Sequence, residues 1–194
     1  MPGEHVRDLP KMTTRQFQAF YHARPEPEKW ELIDGIANRS PLPSLVHQRI
    51  SRNIGNQIND LLQRDRPKWH ADRKIGVLLS DNDKYNPEPD ITVIDSAISI
   101  GQVYAGQFYF VVEVLSGSDR WAFLSSKLEF YSSHESCQGV LFVRQDRIEV
   151  ELYSRAAGFE KQTIIDKDAI IDVPGLGKIG PLKQFYRSTP LFAG

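Results

Sequence analysis

The feature that most constrains the fold of this chain is a continuous apolar run that ends in a carboxylate. Residues 108–112 are Phe-Tyr-Phe-Val-Val, and Glu113 follows them directly. An apolar run without alternating polar residues is typical of a strand buried on both faces of a sheet. An unpaired carboxylate in such a strand is strongly destabilising, so Glu113 has either a buried ionic partner or a function.

A second carboxylate opens another apolar strand. The segment Pro87-Glu88-Pro89-Asp90 leads into residues 91–94, which are Ile-Thr-Val-Ile. An aspartate that follows a proline is often a turn former, and for Asp90 taken alone that interpretation is favoured. If the two strands share one sheet, however, Asp90 and Glu113 can converge on one oxygen-rich site that suits Mg²⁺ or Mn²⁺.

Three helices are predicted from capping residues and helical spacing. Thr13 and Gln16 match a capping box that opens the first. Ser44 can cap a long second helix, and residues 119–133 form a third amphipathic stretch. The second helix carries one apolar stripe, at Val46, Ile50, Ile54, Ile58, Leu61 and Leu62.

The remaining strands complete a mixed sheet. Asp34-Gly35 predicts a hairpin within residues 30–37. We further expect a strand or ribbon over 69–79, a strand at 139–143 that completes a βαβ unit, and an antiparallel pair at 147–153 and 159–165. Residues 1–11 are predicted to be a flexible leader, and the tail to be irregular with one short helix. The sequence therefore predicts a single α/β domain over 12–194, with a central mixed β-sheet flanked by helices.

Composition narrows the function classes without deciding among them. The 194 residues carry 24 basic and 25 acidic side chains, which argues against a protein that coats DNA by bulk charge. A nuclease is still compatible with this net charge, because acidic metal ligands make the net charge of the protein more negative. A single cysteine permits no internal disulfide, and no apolar run approaches the roughly 20 residues that span a bilayer. We therefore expect a cytoplasmic protein with no membrane contact.

Other chemistries have weaker support. The five histidines show no zinc-ligand spacing, and the glycines form neither a phosphate-binding loop nor a dinucleotide fingerprint. His47 lies in the first turn of its helix, where it could reach a phosphate or a metal-bound water, although a capping or surface role is favoured. The basic run over residues 64–74 includes Trp69 and is compatible with a nucleic-acid backbone contact, although a solvated helix end is slightly favoured. Lys127 and Glu31, taken alone, are compatible with a solvated helix lysine and a polar hairpin face.

Five segments, in order, resemble the Uma-two family within the PD-(D/E)xK nuclease superfamily. They run from about Met12 to Tyr153, and they are residues 30–35 (Trp-Glu-Leu-Ile-Asp-Gly), 44–51 (Ser-Leu-Val-His-Gln-Arg-Ile-Ser), 87–93 (Pro-Glu-Pro-Asp-Ile-Thr-Val), 112–118 (Val-Glu-Val-Leu-Ser-Gly-Ser) and 127–131 (Lys-Leu-Glu-Phe-Tyr). The resemblance implies a restriction-endonuclease-like fold with its site at one edge of the sheet. The chain departs from the family pattern at Gly117, Phe123 and Gln138.

The resemblance also assigns roles to residues. It implies that Asp90 and Glu113 bind the metal and that Glu31 is an additional acid. It implies that Lys127 is the motif lysine, moved onto the following helix because Leu115 occupies the usual lysine position.

The resulting hypothesis is a Mg²⁺-dependent DNA endonuclease, for which Mn²⁺ can substitute, acting as a homodimer. Two alternatives stay open: a non-catalytic module that binds nucleic acid or protein, and a metal-dependent hydrolase of RNA or small phosphodiesters.

Overall fold

The structure, a computed structural model, describes residues 10–24, 28–117 and 121–193. Residues 1–9 of the predicted leader and the predicted helix start at 119–120 lie outside the described residues. Within them the helices are α1 (Thr14–His22), α2 (Leu45–Asp65) and α3 (Trp121–Ser133). The strands are β1 (Lys29–Ile33), β2 (Ile36–Ser40), β3 (Trp69–Asp72), β4 (Gly76–Val77), β5 (Ile91–Asp95), β6 (Tyr104–Ala105), β7 (Phe110–Leu115), β8 (Gly139–Arg144), β9 (Val150–Ser154), β10 (Lys161–Ile164), β11 (Ile171–Val173) and β12 (Gly177–Ile179).

A six-stranded mixed sheet forms the centre of the fold, in the order β10-β9-β8-β7-β5-β3. Strands β7 and β8 are parallel and are joined through α3, whereas β5 is antiparallel to β7 and β9 is antiparallel to β8. The predicted βαβ unit and the central mixed sheet are confirmed. Every residue of β7 is buried, as its apolar sequence predicts.

Alternate side chains of β7 point to opposite faces of the sheet and pack into two separate hydrophobic cores. Phe110, Val112 and Val114 pack on the α2 side, together with the C-terminal segment around Phe185. Val111 and Leu115 pack on the opposite face with α3. Glu113 shares the parity of Val111 and Leu115, so its side chain lies on the α3 face of the sheet.

The N-terminal hairpin is also confirmed. Strands β1 and β2 pair antiparallel, and Asp34 and Gly35 both have positive φ, of 49° and 76°, as a type I′ turn requires. The hairpin packs its Trp30 and Leu32 against Phe17 of α1, whose capping box at Thr13 and Gln16 is present.

Two predictions about the strands are wrong. Residues 69–79 form separate elements rather than one ribbon: β3 is an edge strand of the central sheet, and β4 pairs in parallel with β6. Lys74, with φ 57°, turns the chain between them. The tail, predicted to be irregular, contains the β11–β12 hairpin before a 3₁₀ helix over Leu182–Tyr186. These strands of three residues are too short to produce a visible period.

Among the described residues, no helix combines the length and the apolar character needed to cross a bilayer.

Candidate active site

Strand register brings Asp90 and Glu113 side by side. In the β5–β7 pair, Ile91 lies opposite Val112, so the next position along sets Asp90 opposite Glu113. Directly opposed residues of an antiparallel pair project from the same face of the sheet. Two carboxylates separated by a long stretch of sequence therefore become neighbours at the point where β5 begins.

Four charged side chains are buried around this point. Glu31 is 5%, Asp90 8%, Glu113 7% and Lys127 6% exposed. All four line one open cavity of about 330 Å³, whose wall continues through Ser40–Ser44, His47 and Ser116. The structure thus gathers every site residue predicted from the sequence, and it excludes the solvated interpretation of Lys127 and the polar-face interpretation of Glu31.

Lys127 joins the two glutamates. Its Nζ lies 2.8 Å from Oε1 of Glu31 and 2.7 Å from Oε1 of Glu113. Tyr131, one helical turn further along α3, donates its hydroxyl to the same Oε1 of Glu113 at 2.8 Å. Residues four apart share a helix face, so α3 delivers both groups to the same carboxylate. These bonds leave Oε2 of Glu113 without a hydrogen bond from the described part of the chain.

Both oxygens of Asp90 have partners. Oδ2 accepts a hydrogen bond from the backbone N–H of Val114 at 2.8 Å, which ties the carboxylate to β7. Oδ1 lies 2.8 Å from Nε2 of His47, near the start of α2. Ser44 caps α2 by accepting from the backbone N–H of His47, as predicted. The expectation of a merely capping or surface role for His47 is wrong, because its ring reaches into the site.

Glu31 is fixed from the opposite side of the cavity. Its Oε1 accepts from the backbone N–H of Glu88 at 2.7 Å, and its Oε2 accepts from the Ser40 hydroxyl at 3.3 Å. A bridge between Leu32 and Asn86 holds β1 against the segment that leads to Asp90. The hairpin is therefore docked so that Glu31 faces the two strand carboxylates.

The pKa values of the three acidic side chains are shifted in different directions. Burial raises the pKa of Glu113 to about 7, although Lys127 opposes this shift. Burial acts in the same direction on Glu31 and Asp90, but their partners outweigh it and both pKa values are lowered: Lys127 and Lys29 act on Glu31, and His47 acts chiefly on Asp90. For Lys127, burial is outweighed by Glu113 and Glu31, so its pKa is raised.

The donor chemistry fits a divalent cation of the magnesium type. Three buried carboxylates face one buried ammonium, so two negative charges are uncompensated when all are ionised and His47 is neutral. Carboxylate oxygens are the ligands that Mg²⁺ and Mn²⁺ favour. Within the described ranges, however, no three His, Cys, Asp or Glu side chains are already grouped as a metal cluster. Lys127 already pairs with Glu31 and Glu113, and His47 already pairs with Asp90. A bound cation would therefore share these carboxylates with Lys127 and His47.

Two members of this network were not identified from the sequence as site residues. His47 interrupts the start of the apolar stripe of α2, and Tyr131 follows Lys127 by four residues. A histidine beside a capped helix start, and a tyrosine on the same helix face as the motif lysine, are signals that could have identified them.

In the basic run over residues 64–74, the indole of Trp69 already has partners within the chain. Trp69 stacks on Tyr109 with 4.0 Å between ring centroids, and the Arg66 guanidinium lies 4.9 Å from the indole centroid. Trp69 lies on β3 rather than at the helix end, and it packs against the edge of the core. Lys74, the last residue of the run, lines the cavity.

The family of the chain is consistent with this geometry. The sequence profile of Uma2, a family described as "putative restriction endonuclease", matches residues 15–179. The chain belongs to the Uma2 family. The matched stretch contains Glu31, Asp90, Glu113 and Lys127, so the Uma2 match spans the whole buried network. No curated protein sequence matches the chain.

A solved structure shares the fold of this Uma2 protein. It is described as the crystal structure of a "putative nuclease belonging to DUF820" from Anabaena variabilis. The likeness has a TM-score of 0.72 at 19% sequence identity and covers 90% of this chain and 97% of that one. This likeness shows the restriction-endonuclease-like fold that the resemblance implied. Family and fold together support a nuclease-like role.

Proposed function

We propose that this protein is a metal-dependent endonuclease that hydrolyses phosphodiester bonds in DNA. The observation that carries the proposal is the convergence of Asp90, Glu113 and Lys127 in one cavity, from two adjacent strands and the helix that follows them. A buried group of this composition is unfavourable as packing, which points to function. The Uma2 match supports the reaction class, and the acidic cavity supports the need for a cation.

Asp90 and Glu113 would hold Mg²⁺ or Mn²⁺, Glu113 through Oε2, which makes no hydrogen bond to the described part of the chain. When bound, such a cation polarises a phosphoryl oxygen and acidifies a water molecule. His47 and the Val114 N–H orient the Asp90 carboxylate, and Tyr131 orients that of Glu113. Each of these groups acts through a hydrogen bond to a ligand and is therefore a positioning residue.

Lys127 would stabilise the transition state and orient the attacking water. Because its pKa is raised, the side chain is a permanent cation near the reacting phosphate, and proton abstraction by the amine is disfavoured. A buried ammonium placed before the reaction stabilises charge as it develops on the phosphoryl oxygens. Glu31 keeps this ammonium in place and adds a ligand at most through water, since its Oε1 already accepts from Lys127 and from the Glu88 N–H.

Cutting both strands of a duplex needs two such sites, so we propose that the protein acts as a homodimer. Sedimentation velocity with and without duplex DNA tests this directly. A species of twice the chain mass in complex with one duplex is expected. A strictly monomeric complex that makes double-strand breaks would contradict it.

The decisive experiment compares isosteric variants on a substrate panel. Purified protein is incubated with supercoiled plasmid, linear duplex, single-stranded RNA and a small phosphodiester, with Mg²⁺, Mn²⁺ or EDTA. We expect metal-dependent DNA cleavage that falls by about a hundredfold or more in Asp90→Asn and Glu113→Gln. Asp172→Asn, which removes an exposed carboxylate on the β11–β12 hairpin, is the matched control.

The other outcomes identify the alternatives. Cleavage of RNA or the small phosphodiester alone would make the protein a different metal-dependent hydrolase. DNA or protein binding without cleavage, unchanged by metal or by Asp90→Asn, would make it an interaction module. Cleavage undiminished in Glu113→Gln and Lys127→Ala would reject the assigned site.

A further inference from the structure

Two lysines that the proposed chemistry does not use lie at the mouth of the cavity. Lys29 comes from the start of β1, and Lys74 comes from the turn between β3 and β4. Both line the same cavity as Asp90, Glu113 and Lys127. Lys29 forms a salt bridge with Glu88, and Glu88 lines a second cavity together with Lys74.

Lys29 is held in place before any ligand arrives. Its Nζ lies 3.4 Å from Oε1 of Glu88 and donates to the Glu88 carbonyl oxygen at 3.1 Å, and its side chain keeps 25% of its surface exposed. Burial disfavours its charged form, yet Glu31, Glu88 and Asp90 outweigh burial and raise its pKa. The side chain is therefore a fixed cation with one side open to the cavity.

Lys74, in contrast to Lys29, is exposed and forms no salt bridge within the described part of the chain. Its backbone has φ 57°, in the left-handed region that favours glycine, asparagine or aspartate. A lysine there is strained by its own Cβ, and no salt bridge within the described residues offsets that strain. Lys74 thus keeps a strained backbone where its side chain lines the cavity without a salt bridge to the described residues. This combination indicates that the side chain binds a ligand.

From this juxtaposition we infer that Lys29 and Lys74 bind the DNA phosphate adjacent to the scissile one. The inference rests on the proposed function and adds to it the residues that position the backbone. Lys127 occupies the floor of the cavity with the acids, so the two lysines at the mouth are left for the neighbouring phosphate. Lysine contacts phosphate as a point charge and does not distinguish bases, so this subsite fixes register on the duplex without selecting a sequence.

The salt dependence of binding tests these two lysines without requiring cleavage. Affinity of a short fluorescein-labelled duplex is measured by anisotropy in EDTA over a series of salt concentrations. Removing one lysine that neutralises a phosphate of B-DNA makes the slope of log K against log salt shallower by about 0.9. We expect that change in Lys74→Ala and in Lys29→Ala, restoration in Lys74→Arg, and the natural slope in Lys178→Ala, whose exposed lysine lies on β12.

A second variant separates phosphate binding from backbone strain. Lys74→Gly adopts the left-handed backbone freely, so its melting temperature should equal or exceed that of the natural protein while its binding slope becomes shallower. If Lys29→Ala does not fold once Glu88 is left unpaired, the three Lys74 variants decide the question. In cleavage assays with Mg²⁺, Lys74→Ala should raise KM several-fold and leave kcat within about twofold, since this lysine binds substrate and transition state equally.

The outcomes separate this inference from the proposed function. Equal slopes for Lys74→Ala and Lys178→Ala, or a natural protein that does not bind DNA, would overturn the subsite. Shallower slopes in a protein that cleaves no nucleic acid would overturn the nuclease proposal; Lys29 and Lys74 would then be phosphate-binding residues of a DNA-binding protein, with no scissile phosphate beside them.

Discussion

At the scale of single residues, the site is a network of buried charges in which the carboxylates outnumber the ammonium groups. Lys127 forms ion pairs with both Glu31 and Glu113, and Asp90 is held by His47 and a backbone N–H. Breaking a buried pair by removing one partner is far more destabilising than the pair is stabilising, because a charge is left without compensation. Glu113 is the member with the least favourable environment, since burial raises its pKa to about 7.

This shift predicts a distinctive pH dependence for Glu113→Gln in metal-free buffer. A carboxyl with a raised pKa in the folded state stabilises the fold below its ordinary pKa, and the contribution is lost as pH rises through about 7. The glutamine side chain is neutral throughout. Between about pH 5 and about pH 8, we expect the free energy of unfolding of the natural protein to fall relative to Glu113→Gln by about 1–3 kcal/mol.

Urea denaturation at several pH values in EDTA provides the measurement. Glu160→Gln, at an exposed position before β10, is the control and should run parallel to the natural protein. A Glu113→Gln curve that is also parallel would show that Glu113 titrates with its ordinary pKa.

At the scale of secondary-structure elements, short polar links set how α2 and β3 lie against each other. The Asn59 side chain donates to the carbonyl oxygen of Ala71 at 2.9 Å and accepts from its N–H at 2.8 Å. Ala71 pairs with Val93, whose own carbonyl accepts from Tyr109 on the other side. The peptide groups of Ala71 therefore face away from the sheet, and Asn59 satisfies both of them.

Replacing this amide should loosen the edge strand. We expect Asn59→Ala to lower the free energy of unfolding by about 1–3 kcal/mol, since it removes two hydrogen bonds. Asn56→Ala, on the exposed face of the same helix, removes the same side chain without those bonds and should be neutral or slightly stabilising. Equal effects of the two substitutions in chemical denaturation would contradict the role given to Asn59.

Elements with a strong period could be predicted from the sequence, and those determined by tertiary contacts could not. The stripe of α2 and the apolar run of β7 indicate their burial directly, and Asp34-Gly35 indicates its turn. The division of 69–79 depends on the backbone of Lys74, and the β11–β12 hairpin depends on packing against α2 and the sheet. The partnership of His47 with Asp90 joins residues 43 positions apart, so local pattern alone could not reveal it.

At the scale of the whole molecule, the cavity is where β1, the start of α2, the β5–β7 pair and α3 meet. A cation held by Asp90 and Glu113 would connect these elements through their shared ion pairs. A ligand that binds the folded state alone adds about 2.7 kcal/mol at a hundred times its Kd. The chain is therefore expected to respond to metal as one cooperative unit.

Thermal melts provide the corresponding test. We expect Mg²⁺ and Mn²⁺ to raise the melting temperature by several degrees over EDTA, given that about 1 kcal/mol corresponds to 2–4 °C in a domain of this size. Asp90→Asn should abolish the shift, while Asp172→Asn keeps it. A shift that survives Asp90→Asn would place the cation elsewhere on the molecule.

The amide of Asn59 has a further consequence for how copies of this chain can join. An open β-strand border offers unsatisfied peptide groups to any incoming strand, and proteins that leave such borders bare tend to polymerise. By occupying both groups of Ala71, Asn59 closes the β3 border against a neighbour. A strand from a second molecule would therefore pair more readily at the opposite border of the central sheet, β10.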